Sequence, residues 1–338
     1  MTPALTLEPL TGVGALREEW VELAAAAGNP FASVEWSEAW LEHASHGCRP
    51  LLLAAREPGG KVVAILPLVV VDGRYVRKVR FLGYGAANEL GPVCAPGNRE
   101  LGVAALRAAL DETRDEWDVF LGENLPGSGW GQRLGAELVG RESSPVARGP
   151  WPSWEAYLAS RSRSLRKELR QKERRLSSAL RYQTVSAAEE LEPALDAVFA
   201  LHRARWGENA SPFFAGEEPF HRAFAAAAFE RGWVRLRLLE LDGRPVAANY
   251  GIRFGEAEWS YQHGRDPALE GASVGSLVFA HSLREAFAEG AREFWLGPGP
   301  QSYKRRFADD DPGLETVGIG RGLRGRASIL AARRRAAG

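Results

Sequence analysis

Gly271-Ala-Ser-Val-Gly-Ser276 opens an apolar-periodic segment that runs to about Glu289. Phe294-Trp-Leu-Gly-Pro-Gly299 and Tyr303-Lys304-Arg305-Arg306 follow it. A loop of small residues that opens a helix leaves backbone N–H groups without intrahelical partners. Those groups, with the helix dipole, suit an anion and phosphate above all. The strand after the helix ends in Gly and Pro, which do not continue a sheet. A phosphate cradle beside a strand that opens into a polar tip points to an enzyme using a phosphate-bearing cofactor or donor.

Working outward, the chain resembles itself. Arg49 to Leu68 is an apolar strand, a Pro58-Gly-Gly60 turn, a basic residue and a second apolar strand. Trp233 to Ile252 repeats that order around Asp242-Gly243, and Asp-Gly between alternating apolar runs is a hairpin signal. Downstream, a helix over Leu101 to Arg114 leads into Trp117-Asp-Val-Phe-Leu-Gly122. A helix over Val274 to Glu289 leads into Arg292-Glu-Phe-Trp-Leu-Gly297. Upstream, helices over Leu16–Leu23 and Trp36–His43 flank Pro30-Phe31, and helices over Val198–Trp206 and Pro219–Glu230 flank Pro212-Phe213. Two copies of one α/β unit are therefore expected, each a central mixed sheet flanked by helices.

The 338 residues suit two domains, and 45% hydrophobic with 25% charged residues is a globular composition. Forty-three basic residues balance 43 acidic ones. Bulk charge thus argues against nucleic acid or an anionic membrane as a partner. Cys48 and Cys94 lack CxxC spacing, and the six histidines lack metal-ligand spacing, so no metal is expected. No signal-peptide pattern opens the chain and no apolar run approaches the roughly 20 residues of a membrane span, so a cytoplasmic protein is expected. The anticipated layout is a degenerate copy over 1–148, then a Pro-rich junction and basic helix over 149–182. An active copy over 183–320 and a basic tail over 321–338 complete it. The basic helix, Ser160 to Arg181, carries Arg161, Arg163, Arg166, Lys167, Arg170, Lys172, Arg174 and Arg175 over a thin stripe of Leu165, Leu169 and Leu176. It reads either as a solvated face or as a contact for RNA phosphates or an anionic lipid.

Leu201-His-Arg-Ala-Arg-Trp206, Leu239-Glu-Leu-Asp-Gly-Arg-Pro-Val-Ala-Ala248, Tyr261-Gln-His-Gly-Arg-Asp-Pro267, the 271–276 loop and Tyr303-Lys304-Arg305 resemble the GNAT acyltransferase superfamily. More narrowly, they resemble its tandem branch of FemAB-like peptidyltransferases and CelD-like acetyltransferases. Two departures stand out. The loop reads Ala-Ser-Val-Gly-Ser where the branch favours Ser/Thr-Pro-Gly, and the late strand lacks the acidic residue common near its Trp.

The resemblance implies acyl transfer from acyl-CoA, acetyl-CoA foremost, to an amine of a small molecule, amino sugar or amino-acid derivative. The donor's arm would lie between the strands holding Glu258–His263 and Arg292–Leu296. Its diphosphate would rest on Ala272, Ser273, Val274, Gly275 and Ser276, with Arg265 as a charge partner. Tyr303 is the candidate general acid toward the thiolate, or else an aromatic anchor. His263 is the candidate base, with Glu258 and Asp266 as rivals. His202, Arg205, Trp206, Asn249, Tyr261 and Lys304 are candidate acceptor-side residues. The alternatives are a Fem-like transferase using aminoacyl-tRNA, and a non-catalytic tandem protein of envelope polysaccharide assembly. A monomer or homodimer fits either.

Overall fold

The computed structural model of the chain describes residues 5–176, 180–207 and 216–337. It divides into two compact units. Unit 1 comprises Met1–Ser143 with Pro312–Gly338, and unit 2 comprises Ser144–Asp311.

In chain order, unit 1 opens with β1 (Thr6–Pro9), α1 (Arg17–Ala27), α2 (Val34–His43), β2 (Arg49–Arg56), β3 (Val62–Asp72) and β4 (Arg77–Phe81). It continues with α3 (Arg99–Glu112), β5 (Val119–Pro126), α4 (Trp130–Leu134) and β6 (Glu137–Glu142). Unit 2 comprises β7 (Val146–Arg148), α5 (Trp154–Ser160), α6 (Arg163–Leu176), β8 (Leu180–Thr184), α7 (Ala188–Trp206) and α8 (Glu218–Glu230). Then follow β9 (Val234–Leu241), β10 (Arg244–Phe254), β11 (Ala257–Arg265), α9 (Val274–Ala288), β12 (Glu293–Trp295) and α10 (Ser302–Phe307). The chain ends with β13 (Leu314–Gly320) and α11 (Gly322–Ala337).

The first sheet has the order β1-β2-β3-β4-β5-β13-β6, and the second β7-β12-β11-β10-β9-β8. Both expected hairpins form. In the second, Asp242 and Gly243 both take positive φ (51° and 74°), as the tight turn matched to strand twist requires. Each unit holds one parallel pair joined through a helix: β4 with β5 across α3, and β11 with β12 across α9. This is the internal repeat in three dimensions. Pro212-Phe213 lies outside the described residues.

The division differs from the expected layout. β7 is antiparallel to β12, so residues 146–148 belong to the second sheet rather than the first copy. The basic helix spans Arg163–Leu176, because Ser160 ends α5 and Arg181 lies in β8. It is no junction: Leu165 and Leu169 are buried in one core with Val274, Leu277 and Phe294 of unit 2. Residues 314–320 are not part of the second copy, since β13 is inserted between β5 and β6.

The expected basic tail is α11, packed on β13 and β6. Glycines permit that approach. A Cβ on Gly320 would stand 2.6 Å from the Gly325 carbonyl, and one on Gly325 would stand 2.4 Å from the Asp118 oxygen.

Candidate functional site

β11 carries the centre of the site. Its ladder with β10 shifts register between Tyr250 and Gly251, leaving Tyr261 as the extra residue. A bulge of this kind re-aims the side chains beyond it. Beyond it, Gly264 lies against α7, where a Cβ would come within 2.5 Å of Leu201 and His202 backbone atoms. His263 is aimed at Tyr303 instead: its Nε2 lies 2.8 Å from the Tyr303 hydroxyl. β11 and β12 pair only through Ala257–Trp259 and Glu293–Trp295. Past that point the strands part, and the stacked indoles of Trp259 and Trp295 (4.8 Å between centroids) mark the end of pairing.

Tyr303 is held by α10. Its ring packs edge-on against Phe279 of α9, as does Phe307 one turn later. The Lys304 ammonium donates to the carbonyls of Gly297 (3.0 Å) and Pro298 (2.6 Å), tying α10 to the turn that ends β12. Burial pushes the Tyr303 phenol up to about 12 against the opposing pull of Arg205, so it stays protonated at neutral pH. Burial first, then Arg205, Lys304 and His202, hold the His263 imidazole well below its ordinary value, so it is neutral.

On the other side stands the start of α9. Ser273 takes left-handed φ 55°, ψ 35°, and no side chain caps the helix. The N–H groups of Val274 and Gly275 are therefore presented as an anion seat, while those of Ser273 and Ser276 donate to the Glu270 and Ser273 carbonyls. Gly275 keeps the approach open, since a Cβ there would meet Arg265 Cδ at 3.2 Å. Arg265 Nη2 donates to Glu270 Oε1 at 2.8 Å, whereas its Nη1 is buried with no acceptor. Lys172 of α6 donates to the Gly271 carbonyl and braces the loop from outside. Together Arg205, His263, Arg265, Glu270, Ser273, Gly275, Ser276 and Tyr303 enclose a half-open cavity of about 320 Å³. An orphaned guanidinium nitrogen beside an uncapped helix start is the chemistry a diphosphate fits.

The structure thus brings together Tyr303, His263, Arg205, Arg265, Ser273, Gly275 and Ser276 from the expected set. Ala272 and Val274 belong to the same loop through their backbone, with Val274 in the core. Other expected residues lie elsewhere. Glu258 is fully buried and bidentate with Arg237 of β9, so its carboxylate is committed to an internal ion pair. Asn249 is fully buried and accepts from Ser260 Oγ at 2.6 Å. Tyr261 is buried among Tyr250 and His221. Lys304 serves the turn described above. Asp266 caps the 267–272 turn through Ala268 N–H and meets Arg244. His202 is buried, and Trp206 lies under the Arg205 guanidinium at 4.4 Å. Glu270 lines the cavity and was not anticipated; the only signal for it is its place beside Gly271.

Among the described residues no group of three His, Cys, Asp or Glu could hold a metal ion. No described helix is long and apolar enough to cross a membrane.

An uncapped helix start, strands that part beside it and a Tyr after the second strand come together in one half-open cavity. Residues 163–305 match the family model described as the acetyltransferase (GNAT) domain. The whole chain has the fold of solved tandem-GNAT proteins. Solved structures of the same fold include FemX (11% identity, 96% of this chain and 100% of that one, TM-score 0.65). Another is a tandem GNAT protein from the clavulanic acid biosynthesis pathway (13%, 94% and 99%, 0.55). A third is the C-terminal DUF2156 domain of a putative lysylphosphatidylglycerol synthetase from Agrobacterium fabrum (12%, 95% and 95%, 0.60). At such identities the likeness is one of fold. No curated protein sequence matches the chain.

Proposed function

We propose that the protein transfers an acyl group from acyl-CoA, acetyl-CoA foremost, to the amine of a small molecule, amino sugar or amino-acid derivative. The observation that carries this reading is the contact of the Tyr303 hydroxyl with His263 Nε2 beside the open start of α9. The donor diphosphate rests on the first N–H groups of α9 and on Arg265, and its arm enters where β11 and β12 part. The acceptor nitrogen attacks the thioester carbonyl, so a C–N bond forms and the C–S bond breaks. The amine loses one proton and the departing sulfur takes one. Tyr303, protonated at neutral pH, turns its hydroxyl to the sulfur and gives up its proton. The freed Nε2 of neutral His263 takes up the proton the amine releases and returns it to the phenolate, so the pair ends as it began. Arg205 lies against the Tyr303 oxygen and suits an acceptor carboxylate.

A cytoplasmic place of action accords with a CoA donor. A second reading, an aminoacyl-tRNA donor, is favoured by one feature. Arg163, Lys167, Arg170 and Arg174 are all exposed on α6 at spacings of four, three and four residues, which aligns them along one face.

Thermal unfolding with CoA, acetyl-CoA and longer acyl-CoAs tests the donor. A ligand at a hundredfold excess over its Kd stabilises by about 2.7 kcal/mol. The expected result is a rise in Tm that Gly275→Asp abolishes. The absence of any shift would remove the acyl-CoA reading and leave a salt-sensitive tRNA complex as the next test.

A further inference from the structure

From Thr316 onward the sequence carries six arginines and no acidic residue. The neutral balance of the whole chain therefore hides a local excess of positive charge, and five of those arginines lie in α11 (Gly322–Ala337). The inner side of α11 is occupied by packing: Gly325 and Ile329 are buried, and Ala336 lies against Gly140 of β6. At about 100° per residue, Leu323, Ala327, Leu330 and Arg334 form one line along the outer side. Arg326 and Arg333 stand on one flank of that line, Arg324 and Arg335 on the other, and all eight residues are exposed. Leu323, 87% exposed, is the most exposed large apolar side chain among the described residues, and Leu330 is 50% exposed.

The charges of this face are open to a partner. Arg333 meets Glu137 of β6 at 3.4 Å, with both side chains more than half exposed. Among the described residues no acid pairs with Arg324, Arg326, Arg334 or Arg335. Beside α11 the first sheet leaves a cleft of about 140 Å³, walled by Val119, Leu121 and Ile329 and lined also by the cations Lys78 of β4 and Arg335. Lys78 likewise has no acidic partner among the described residues. The other basic helix, α6, differs on both counts. Its Leu165 and Leu169 are buried in the core, and Glu168 and Glu173 interrupt its charge, with Glu168 bonded to Arg306 at 2.8 Å.

We propose that the outer face of α11 docks on an anionic lipid bilayer, with the helix lying along the bilayer surface. The leucine ridge enters the headgroup layer, the arginines on both flanks pair with lipid phosphates, and the cleft between Lys78 and Arg335 takes one phosphate headgroup. Two leucines held in water between rows of unpaired arginines fit a partner that is apolar and anionic at once. A nucleic acid would engage the arginines and leave the leucines in water. A second copy of the chain would set arginine against arginine. The proposal is independent of the donor reading, since every residue it uses belongs to unit 1.

Co-sedimentation of the full chain with vesicles tests the proposal, using phosphatidylcholine alone and phosphatidylcholine mixed with phosphatidylglycerol. Binding to the mixed vesicles should be tighter by roughly tenfold or more, and should weaken as salt rises. An arginine near such a surface contributes about fivefold, so Arg324→Gln with Arg335→Gln should lower the partition coefficient about 25-fold. Leu323→Ser with Leu330→Ser, which leaves every charge in place, should lower it roughly tenfold. All four side chains are exposed, so both variants should unfold near the parent's midpoint. Arg163→Gln with Arg170→Gln on α6 should leave binding unchanged, as should Gly275→Asp at the donor seat, so failure of the donor reading and failure of this one are separable. Equal partition onto neutral and mixed vesicles, or none onto either, overturns the proposal. So does a leucine variant that binds like the parent, or a loss that follows the α6 pair instead.

Discussion

Tyr303 and His263 are separated by 40 positions and meet at 2.8 Å, because α10 turns the tyrosine back over the end of β11. If Tyr303 is the proton donor, Tyr303→Phe keeps the ring against Phe279 and removes only the hydroxyl. We expect kcat to fall by roughly 10²- to 10⁴-fold while the donor-induced rise in Tm is retained. An equal loss of both would make the tyrosine a packing residue. The pair was legible in the sequence, since a Tyr shortly after the late strand and a His near the end of the strand before it stand out by type and place. Lys304 was not legible. Its neighbours Arg305 and Arg306 are basic as well, and nothing in Tyr-Lys-Arg-Arg says that the first cation of the three turns inward to two carbonyls. Asn249 and Glu258 misled for a related reason: polar residues within apolar strands look like site residues until their internal partners are seen.

At the level of elements, the central strands of unit 2 are bound by a buried charge pair. Arg237 on β9 reaches Glu258 on β11 across β10, and both side chains are fully buried. Burial raises the Glu258 carboxyl against the pull of Arg237, while Glu258 and Glu289 hold the guanidinium charged despite its own desolvation. Glu258→Gln leaves a buried cation without its counter-charge and should cost about 3–5 kcal/mol in chemical denaturation. The double substitution Arg237→Met with Glu258→Leu should recover most of that. A catalytic Glu258 would instead give Glu258→Gln an unfolding midpoint near the parent's and a loss confined to kcat. The contact of α7 with β11 makes a parallel case: Gly264→Ala should cost about 2 kcal/mol, since the clash is with helix backbone. Hairpins, helices and their repeat were readable from period and turn residues. The boundaries of α6 were not, because basic residues stand on both sides of it, at Arg161 and Arg181, as well as along it.

Across the whole molecule, four of the six histidines, His202, His221, His263 and His281, lie in unit 2, and burial is the first cause lowering each of them. His202 and His221, lowered to about 4 and about 3, are the most enclosed. Above pH 6.5 these side chains are neutral in both folded and unfolded chains and add no pH dependence. Below it the unfolded chain takes up protons that the folded one refuses, so stability is lost as pH falls. The loss is about 1.4 kcal/mol per pH unit for each fully buried histidine until its folded pKa is reached. Hydrogen exchange between pH 7 and 4.5 should therefore show protection lost in α7, α8 and β11 before the first sheet. Simultaneous loss in both units would contradict this. Two units were foreseeable from the repeat, but the return of the chain to the first sheet was not. Val-Gly-Ile-Gly-Arg-Gly reads as a frayed end because Gly318 and Gly320 answer the close approach of Ile329 and Gly325 on the helix that follows, which no local pattern announces.

That return has a consequence for how the molecule is made. β13 is the strand that joins β5 to β6, and it leaves the ribosome after every residue of unit 2. Until then β5 and β6 are open edges with no shared neighbour, and the half of the molecule begun first is the half finished last. Unit 2, contiguous in the chain, can close while unit 1 waits, so a nascent chain halted before residue 314 exposes two unpaired strand edges for a chaperone or another chain to find.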